Sequence, residues 1–256
     1  PTDTYLKRLE EIVETTNGEL VLMDAEHYSY KKASVIFYEN LNEILKDEKG
    51  ERRKIKLIEG SLVEIDNPYK WRTLAVLSRE NQTGLLGDTM VHLLSFISNL
   101  RGKATPIYRE YSQFEGRCED KEVKYDVDTY DYVDYEIENV NKDFFTEDAK
   151  AYLTVAKFAD KAGREDKKEM KFVLDDDSEV VLDFKEGSVI KTKNGITEHY
   201  HEKNIVSSNE YVNILNHFYN AMSNNHKPLT SFYNSLLTLR AIYESYKIGQ
   251  KVEFYN

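Results

Sequence analysis

Apolar residues near both ends of the chain recur at helical spacing. In residues 4–17, Leu6, Leu9 and Ile12 put one apolar stripe on a predicted helix, and Gly18 is a typical terminator. The same pattern predicts four further helices, at residues 33–46, 87–100, 209–223 and 231–248.

The middle of the chain, from Thr105 to His201, alternates apolar and polar residues in short runs between charged or glycine turns. Such alternation is typical of antiparallel strands that bury one face, and Asn194-Gly195 favours a hairpin turn. The predicted strands are 123–137, 151–158, 169–174, 179–184, 188–192 and 197–201, with others outside the middle at 19–25, 55–65 and 251–255. We therefore predict an α+β fold in one domain of residues 1–256, a largely antiparallel open sheet with helices packed on one face.

Composition narrows the classes of function. Hydrophobic residues make up 40% of the chain and aromatic residues 12%, too much apolar surface for a disordered protein. A net charge of −11 argues against a nucleic-acid or anionic-membrane partner, and no apolar run approaches the roughly 20 residues of a membrane span. Cys118 is the only cysteine, so we expect a reducing, cytoplasmic location. The chain begins at Pro1 and runs directly into a helix pattern, so we expect it to be a fragment of a longer protein.

The segment from Gly84 to His92 carries the strongest candidate chemistry. Asp88 and His92 lie four residues apart near a predicted helix start, so both side chains share one face. A carboxylate there can orient an imidazole that works as general acid or base. The alternative is a carboxylate favoured by the helix dipole beside an ordinary core histidine. No G-x-G pair occurs in the sequence, so it lacks the dinucleotide-binding fingerprint.

Two further polar groups are candidates for substrate binding. His27, Tyr28 and Lys31 come after the strand predicted at 19–25, where an ordinary polar strand end is the alternative. Arg72, next to Trp71, could contact a phosphate of substrate or cofactor, although the tryptophan itself is typical of a core.

The sequence does not predict a metal site. His199 and His201 share one face of a predicted strand, but no third ligand accompanies them, so we expect a solvated pair. The acidic segment 125–138 fails as a calcium loop because Asp131 stands where the turn glycine is required.

The order of four pieces resembles the C-terminal domain of the oxidoreductase family that includes glucose-fructose oxidoreductase and inositol dehydrogenase. Pro1 and the helix at 4–17 resemble the proline and helix at the family's Glu-Lys-Pro motif. Trp71-Arg72, a polar stretch and then Gly-Leu-Leu-Gly-Asp-Thr-Met-Val-His ending at His92 resemble its glycine, Asp and His signature. The sheet region and the closing segment 227–249 complete the match.

This resemblance implies the substrate-side half of an NAD(P)-dependent oxidoreductase acting on a sugar, polyol or sugar derivative. The N-terminal Rossmann domain of such enzymes binds NAD or NADP, so this domain alone is expected to bind no cofactor. The family's Lys would precede Pro1, and Asp88 and His92 match its Asp and His. His92 would take the hydroxyl proton while hydride leaves the same carbon, and Asp88 would orient it. The rival hypothesis is a binding or assembly module that keeps the fold without chemistry.

A second resemblance concerns the substrate. His-Tyr-x-x-Lys at His27, Tyr28 and Lys31 is similar to the sugar-phosphate-binding segment of glucose-6-phosphate dehydrogenase. That family spaces its Asp and His differently, so the first resemblance is favoured. A phosphorylated sugar stays open as substrate.

The predicted sheet also bears on assembly. Aromatic and apolar residues occupy both alternating faces of one strand, at Tyr125, Val127, Tyr130, Tyr132, Val133 and Tyr135. One face packs on helices, and the other is too aromatic to be left in water. We therefore predict a homodimer or tetramer formed through the open sheet face, as the resemblance also implies.

Overall fold

The computed structural model describes residues 3–16, 23–65, 77–78, 84–117, 124–140, 144–157, 165–204, 206–224 and 228–252. Within these residues the α-helices are α1 (Asp3–Thr16), α2 (Lys32–Ile44), α3 (Val91–Asn99), α4 (Glu210–Asn224) and α5 (Phe232–Tyr246). A 3-10 turn covers His27–Tyr30, and a π-helical segment, Leu86–Met90, runs directly into α3. None of the helices described combines the length and the apolar character that a membrane crossing needs.

The described strands form one sheet of nine. They are β1 (Ile55–Glu64), β2 (Gly102–Arg117), β3 (Lys124–Asn139), β4 (Phe145–Lys157), β5 (Lys167–Leu174), β6 (Glu179–Asp183), β7 (Ser188–Lys193), β8 (Ile196–Tyr200) and β9 (Gln250–Lys251). Their order across the sheet is β8-β7-β6-β5-β1-β4-β3-β2-β9. Among the strands described, only β1 with β4 and β2 with β9 pair in parallel, so the predicted fold class is confirmed.

The core lies between the sheet and the helices. Ile58 and Leu62 of β1 are fully buried, and Gly60 between them faces α3. A methyl group added to Gly60 would lie 2.9 Å from Leu153 Cδ2 and 3.2 Å from Leu93 Cδ2. The glycine therefore lets α3, the helix that carries His92, approach the sheet closely.

The opposite face of the sheet is partly covered by its own side chains. Val63, Tyr130 and Ala156 form a small buried cluster there, and Tyr132 packs against it. The ring of Tyr108 lies edge-on to that of Tyr132, 6.4 Å between centroids. By contrast, Tyr135 lies on the helix side, where its hydroxyl is 2.9 Å from Ser245 Oγ of α5.

Most predicted elements agree with the structure to within a few residues, and two differ. The strand predicted at 19–25 is wrong over residues 23–25, where only Met23 pairs, with Ser231 in one isolated bridge. Asp24 N also donates to Thr230 O at 2.9 Å, so this segment is tied to the start of α5 instead of to the sheet. The sequence also missed β2 as a separate strand, because Pro106 and clustered charges interrupt its alternation. Residues 17–22 and 253–256 lie outside the described residues.

Candidate active site

The site begins at a tight turn organised by Glu26. Its carboxylate accepts hydrogen bonds from the backbone N–H groups of Tyr28, at 3.0 Å, and Ser29, at 2.8 Å. A side-chain oxygen that satisfies the first free N–H groups is what starts a helical turn. The turn therefore depends directly on Glu26, and it fixes the positions of His27 and Tyr28.

Glu26 also contacts the histidine that the sequence singled out. His92 Nδ1 lies 2.6 Å from Glu26 Oε1, while Ser29 Oγ and Ser95 Oγ donate to Oε2 at 2.7 and 3.0 Å. The Glu26 side chain is 6% exposed and that of His92 17%. A buried carboxylate orients a ring by accepting from one nitrogen, so Nδ1 carries the hydrogen and Nε2 is left to accept a proton.

The environment keeps Glu26 ionised. Burial works to raise the pKa of its carboxyl group, but the hydrogen bond and charge of His92, together with the bonds from Ser29, outweigh burial and lower the pKa. An ionised, fully hydrogen-bonded carboxylate beside an imidazole is suited to stabilise the imidazolium form.

Aromatic rings surround His92. Tyr28 stacks on it with ring centroids 4.6 Å apart, and His27 meets it edge-on, also at 4.6 Å. Tyr211 of α4 stacks on His27 at 6.2 Å. Burial and the neighbouring charge of His92 lower the pKa of His27. Lys31 Nζ lies 4.5 Å from the centre of the Tyr28 ring, so the structure brings together His27, Tyr28, Lys31 and His92.

Glu64 at the end of β1 stands near the same rings. Burial, and then the charges of Glu64 and Glu26, raise the pKa of Tyr28. Glu64 in turn accepts hydrogen bonds from Lys157 and from Lys168, the latter at 2.6 Å. The two lysines therefore hold the Glu64 carboxylate in place beside the site.

Asp88 is placed differently from what the sequence predicted. Its carboxylate accepts a hydrogen bond from Thr89 Oγ1 at 3.0 Å, and the hydrogen bond to His92 is made by Glu26 instead. The physical reason is burial: the enclosed Glu26 must find donors, whereas the half-buried Asp88 can use water. A role of Asp88 in the site stays a prediction. Arg72 and Trp71 lie outside the described residues.

Glu26, Ser29, Ser95 and Asn99 belong to the same hydrogen-bond network, and the sequence did not predict them as site residues. Asn99 Nδ2 donates to Ser29 Oγ at 2.9 Å, so the network reaches the end of α3. The polar run from Glu26 to Lys31 was a visible signal for the turn. Nothing in the sequence indicates that a residue in this turn meets one 66 positions later.

Glu26, His27 and His92 also bring one ligand atom each to within 4.8 Å of one another. This cluster differs from the pair at His199 and His201, which is exposed, as expected for a solvated pair.

No protein family model matches the sequence, and no curated protein sequence matches it. Solved structures do match in fold. UDP-N-acetylglucosamine 3-dehydrogenase from Acidithiobacillus ferrooxidans superposes with a TM-score of 0.63 at 13% identity, over 94% of this chain and 66% of that one. Levoglucosan dehydrogenase in complex with NADH and levoglucosan gives 0.66 at 14%, over 89% and 64%. A 3-ketoreductase variant from Actinomadura kijaniata in complex with TDP-benzene and NADP gives 0.62 at 10%, over 98% and 68%.

The chain spans just under two thirds of the length of the first two of these proteins. At such identities the likeness shows the fold alone. The two dehydrogenases and the 3-ketoreductase share this fold with the chain.

Proposed function

We propose that this chain is the substrate-side part of an NAD(P)-dependent oxidoreductase that acts on a sugar, polyol or sugar derivative. The observation that carries the proposal is the pair formed by Glu26 and His92, a buried carboxylate holding an accessible imidazole. The structural neighbours include complexes with NADH and with NADP, and two of them are dehydrogenases of sugar compounds. This likeness supports the same class of reaction for this chain.

In the proposed reaction, His92 acts as the proton acceptor. A substrate hydroxyl group hydrogen-bonds to Nε2, and its proton moves to that nitrogen as the carbon loses hydride and becomes a carbonyl carbon. Glu26 accepts from Nδ1 throughout, so it holds the ring orientation and balances the charge of the imidazolium. In the reverse direction the same nitrogen returns the proton to the carbonyl oxygen.

The nicotinamide would supply the hydride acceptor, bound as NAD or NADP by a further domain of the full-length protein. The residues of this chain fit the substrate side of such a site. They offer an imidazole oriented by Glu26, an aromatic ring stacked on it and a lysine. The sequence lacks the glycine motif of a dinucleotide-binding site. We therefore expect the isolated chain to turn over no substrate.

The remaining predicted residues are assigned to substrate binding. The half-buried His27 offers a ring against which an apolar sugar face can pack, and the buried Tyr28 supports the rings of His27 and His92 from behind. Lys31 beside Tyr28 can neutralise an anionic group such as a phosphate, which keeps the glucose-6-phosphate dehydrogenase-like alternative open. We retain Arg72 and Asp88 as further polar contacts.

Binding by the isolated chain tests this proposal without a cofactor. Ligand-observed NMR with polyols, aldoses and sugar phosphates should detect one binding class, and Tyr28→Ala should weaken it. His199→Ala on the exposed strand β8 is the matched control and should bind as the wild type does. The proposal is contradicted if no class of compound binds, or if Tyr28→Ala binds the ligand as tightly as the wild type does.

A role in assembly is favoured by a separate observation. Tyr108 and Tyr132 lie on the sheet face away from the helices, and Tyr108 is 37% exposed. We propose a homodimer or tetramer through this face, either within the oxidoreductase or as the activity of a non-catalytic module. Light scattering at micromolar concentration decides it, and Tyr108→Glu with Tyr132→Glu should shift the mass toward that of one chain. We expect the protein to reside in the cytoplasm because of its single cysteine.

A further inference from the structure

The turn and helix that carry the candidate active site also form a donor set for a metal ion. Glu26, His27 and His92 each offer one ligand atom, and these atoms lie within 4.8 Å of one another. Two imidazoles and one carboxylate hold Zn²⁺ in many proteins, with a fourth position left open. We propose that these three residues form a binding site for a divalent transition-metal ion of the Zn²⁺ class.

The carboxylate is already oriented as a metal ligand would be. Ser29 Oγ and Ser95 Oγ hold Oε2 of Glu26 with hydrogen bonds of 2.7 and 3.0 Å. Its other oxygen, Oε1, lies 2.6 Å from Nδ1 of His92. Hydrogen bonds around a site that fix its ligands raise metal affinity, because less freedom is lost on binding.

The two imidazoles are held by rings and are reachable from solvent. Tyr28 stacks on His92, and Tyr211 stacks on His27. Both histidines are half-buried, not enclosed, so an ion can enter. Imidazole nitrogens favour Zn²⁺, Co²⁺ and Ni²⁺ over Mg²⁺ and Ca²⁺, which prefer sites made of oxygen atoms.

Metal binding through Nδ1 of His92 and the hydrogen bond between Glu26 and His92 exclude each other. Ligand atoms about 2.1 Å from a tetrahedral ion are about 3.4 Å apart, whereas Oε1 and Nδ1 are 2.6 Å apart. The two side chains must therefore separate slightly, and Nδ1 of His92 must lose the hydrogen that it donates to Glu26. The bound ion then inhibits proton transfer at His92, a consequence that rests on the proposed function, whereas the binding itself does not.

The test titrates Co²⁺ into the 256-residue chain without cofactor and monitors both heat and visible absorption, since Co²⁺ reports its own coordination. We expect one ion per chain with the absorption of a four- or five-coordinate site. His27→Gln should weaken binding by at least about 10-fold, the lower end of the effect of disturbing a metal site. His199→Gln is the matched control, because it removes an exposed histidine of β8, and it should bind as the wild type does.

Equal affinity of His27→Gln and the wild type, loss of binding in His199→Gln, or no binding by the wild-type chain each overturns the proposal. Should His27→Gln unfold by circular dichroism, paramagnetic broadening of histidine NMR signals in the wild type decides the same question. Broadening at His27 and His92 supports the site, and broadening at His199 and His201 contradicts it. No turnover is measured, so a failed titration leaves the oxidoreductase proposal intact, and a failed dehydrogenase assay leaves the metal site intact.

Discussion

Two buried carboxylates of this chain each bind a basic side chain. The two basic side chains differ in their access to solvent. Asp131 Oδ1 accepts from Arg109 Nε at 2.6 Å, and the two side chains are 0% and 1% exposed. Arg109 also donates to Ser245 O at 3.1 Å, so it joins the sheet to α5. Glu26 and His92 are held as closely, but His92 keeps an accessible face.

The difference separates a structural pair from a chemical one. A guanidinium stays protonated in proteins, so the enclosed Arg109 can only hold charge and donate hydrogen bonds. An imidazole has a second nitrogen, and at His92 the first is occupied by Glu26. Partial exposure of a titratable ring, more than burial of an ion pair, is therefore what identifies the candidate active site.

The largest expected effect is on turnover. In the full-length oxidoreductase that we propose, His92→Ala should lower kcat by roughly 10²–10⁴-fold, the usual range for loss of a general acid or base. Steady-state kinetics measure it, with thermal melting to confirm folding and His199→Ala as control. Near-normal turnover would return His92 to the role of an ordinary core histidine.

At the structural pair, Arg109→Met should reduce the free energy of unfolding by about 3–5 kcal/mol, because Asp131 is left charged and buried. Urea denaturation of the isolated chain measures this loss. Lys103→Met removes one partner of the exposed pair with Glu138 and should change stability by less than about 1 kcal/mol. Similar losses in both variants would contradict the distinction between buried and exposed pairs.

Glu26→Gln should lower kcat by roughly 10–100-fold, since the carboxylate acts through the orientation of His92. An amide N–H facing Nδ1 favours the tautomer with the hydrogen on Nε2, which then cannot accept a proton. Nitrogen NMR of the His92 imidazole should show the hydrogen on Nε2 instead of Nδ1. A purely structural role of Glu26 would not produce this change of tautomer. Asp88→Asn is the comparison variant, and a larger effect there than in Glu26→Gln would restore the predicted partnership of Asp88 with His92.

The smallest effect concerns Glu64, a half-buried carboxylate between two lysines. Burial works to raise its pKa, but hydrogen bonds from Lys157 and Lys168 outweigh it and lower the pKa to about 2. A lowered carboxyl pKa adds stability above its unfolded value of 4.5, and that stability is lost as the pH falls toward 2. Screening by solvent limits the contribution to about 1 kcal/mol. The free energies of unfolding of wild type and Glu64→Gln, measured by urea denaturation, should therefore converge as the pH falls from 5 to 2.5. A difference that widens on acidification contradicts this prediction.

The sequence predicted the helices and most of the sheet because each is encoded within a short window. The stripe of α1 and the alternation of β5 to β8 are set by neighbouring residues. The parallel pairing of β1 with β4 is not, since it joins Gly60 to Leu153 across a long stretch of chain. Long-range pairing depends on how the whole core closes, which a local pattern does not contain.

The sequence also predicted only part of the candidate site. His27, Tyr28, Lys31 and His92 were predicted as site residues, and the structure places them next to one another. The partner of His92 was predicted as Asp88, because helical spacing favours a neighbour four residues away. The structure instead uses Glu26, which the fold delivers from a different element.

Gly60 has a consequence for anyone who wishes to redesign this protein. Its missing side chain leaves α3 within a few tenths of an ångström of its closest approach to the sheet, through Leu93 and Leu153. Alanine at position 60 would press on the side chains of Leu153 and Leu93, and any shift of α3 that relieves this contact would move His92 relative to Glu26. A substitution within the sheet, on the far side of α3 from the site, would then change the position of the proposed proton acceptor.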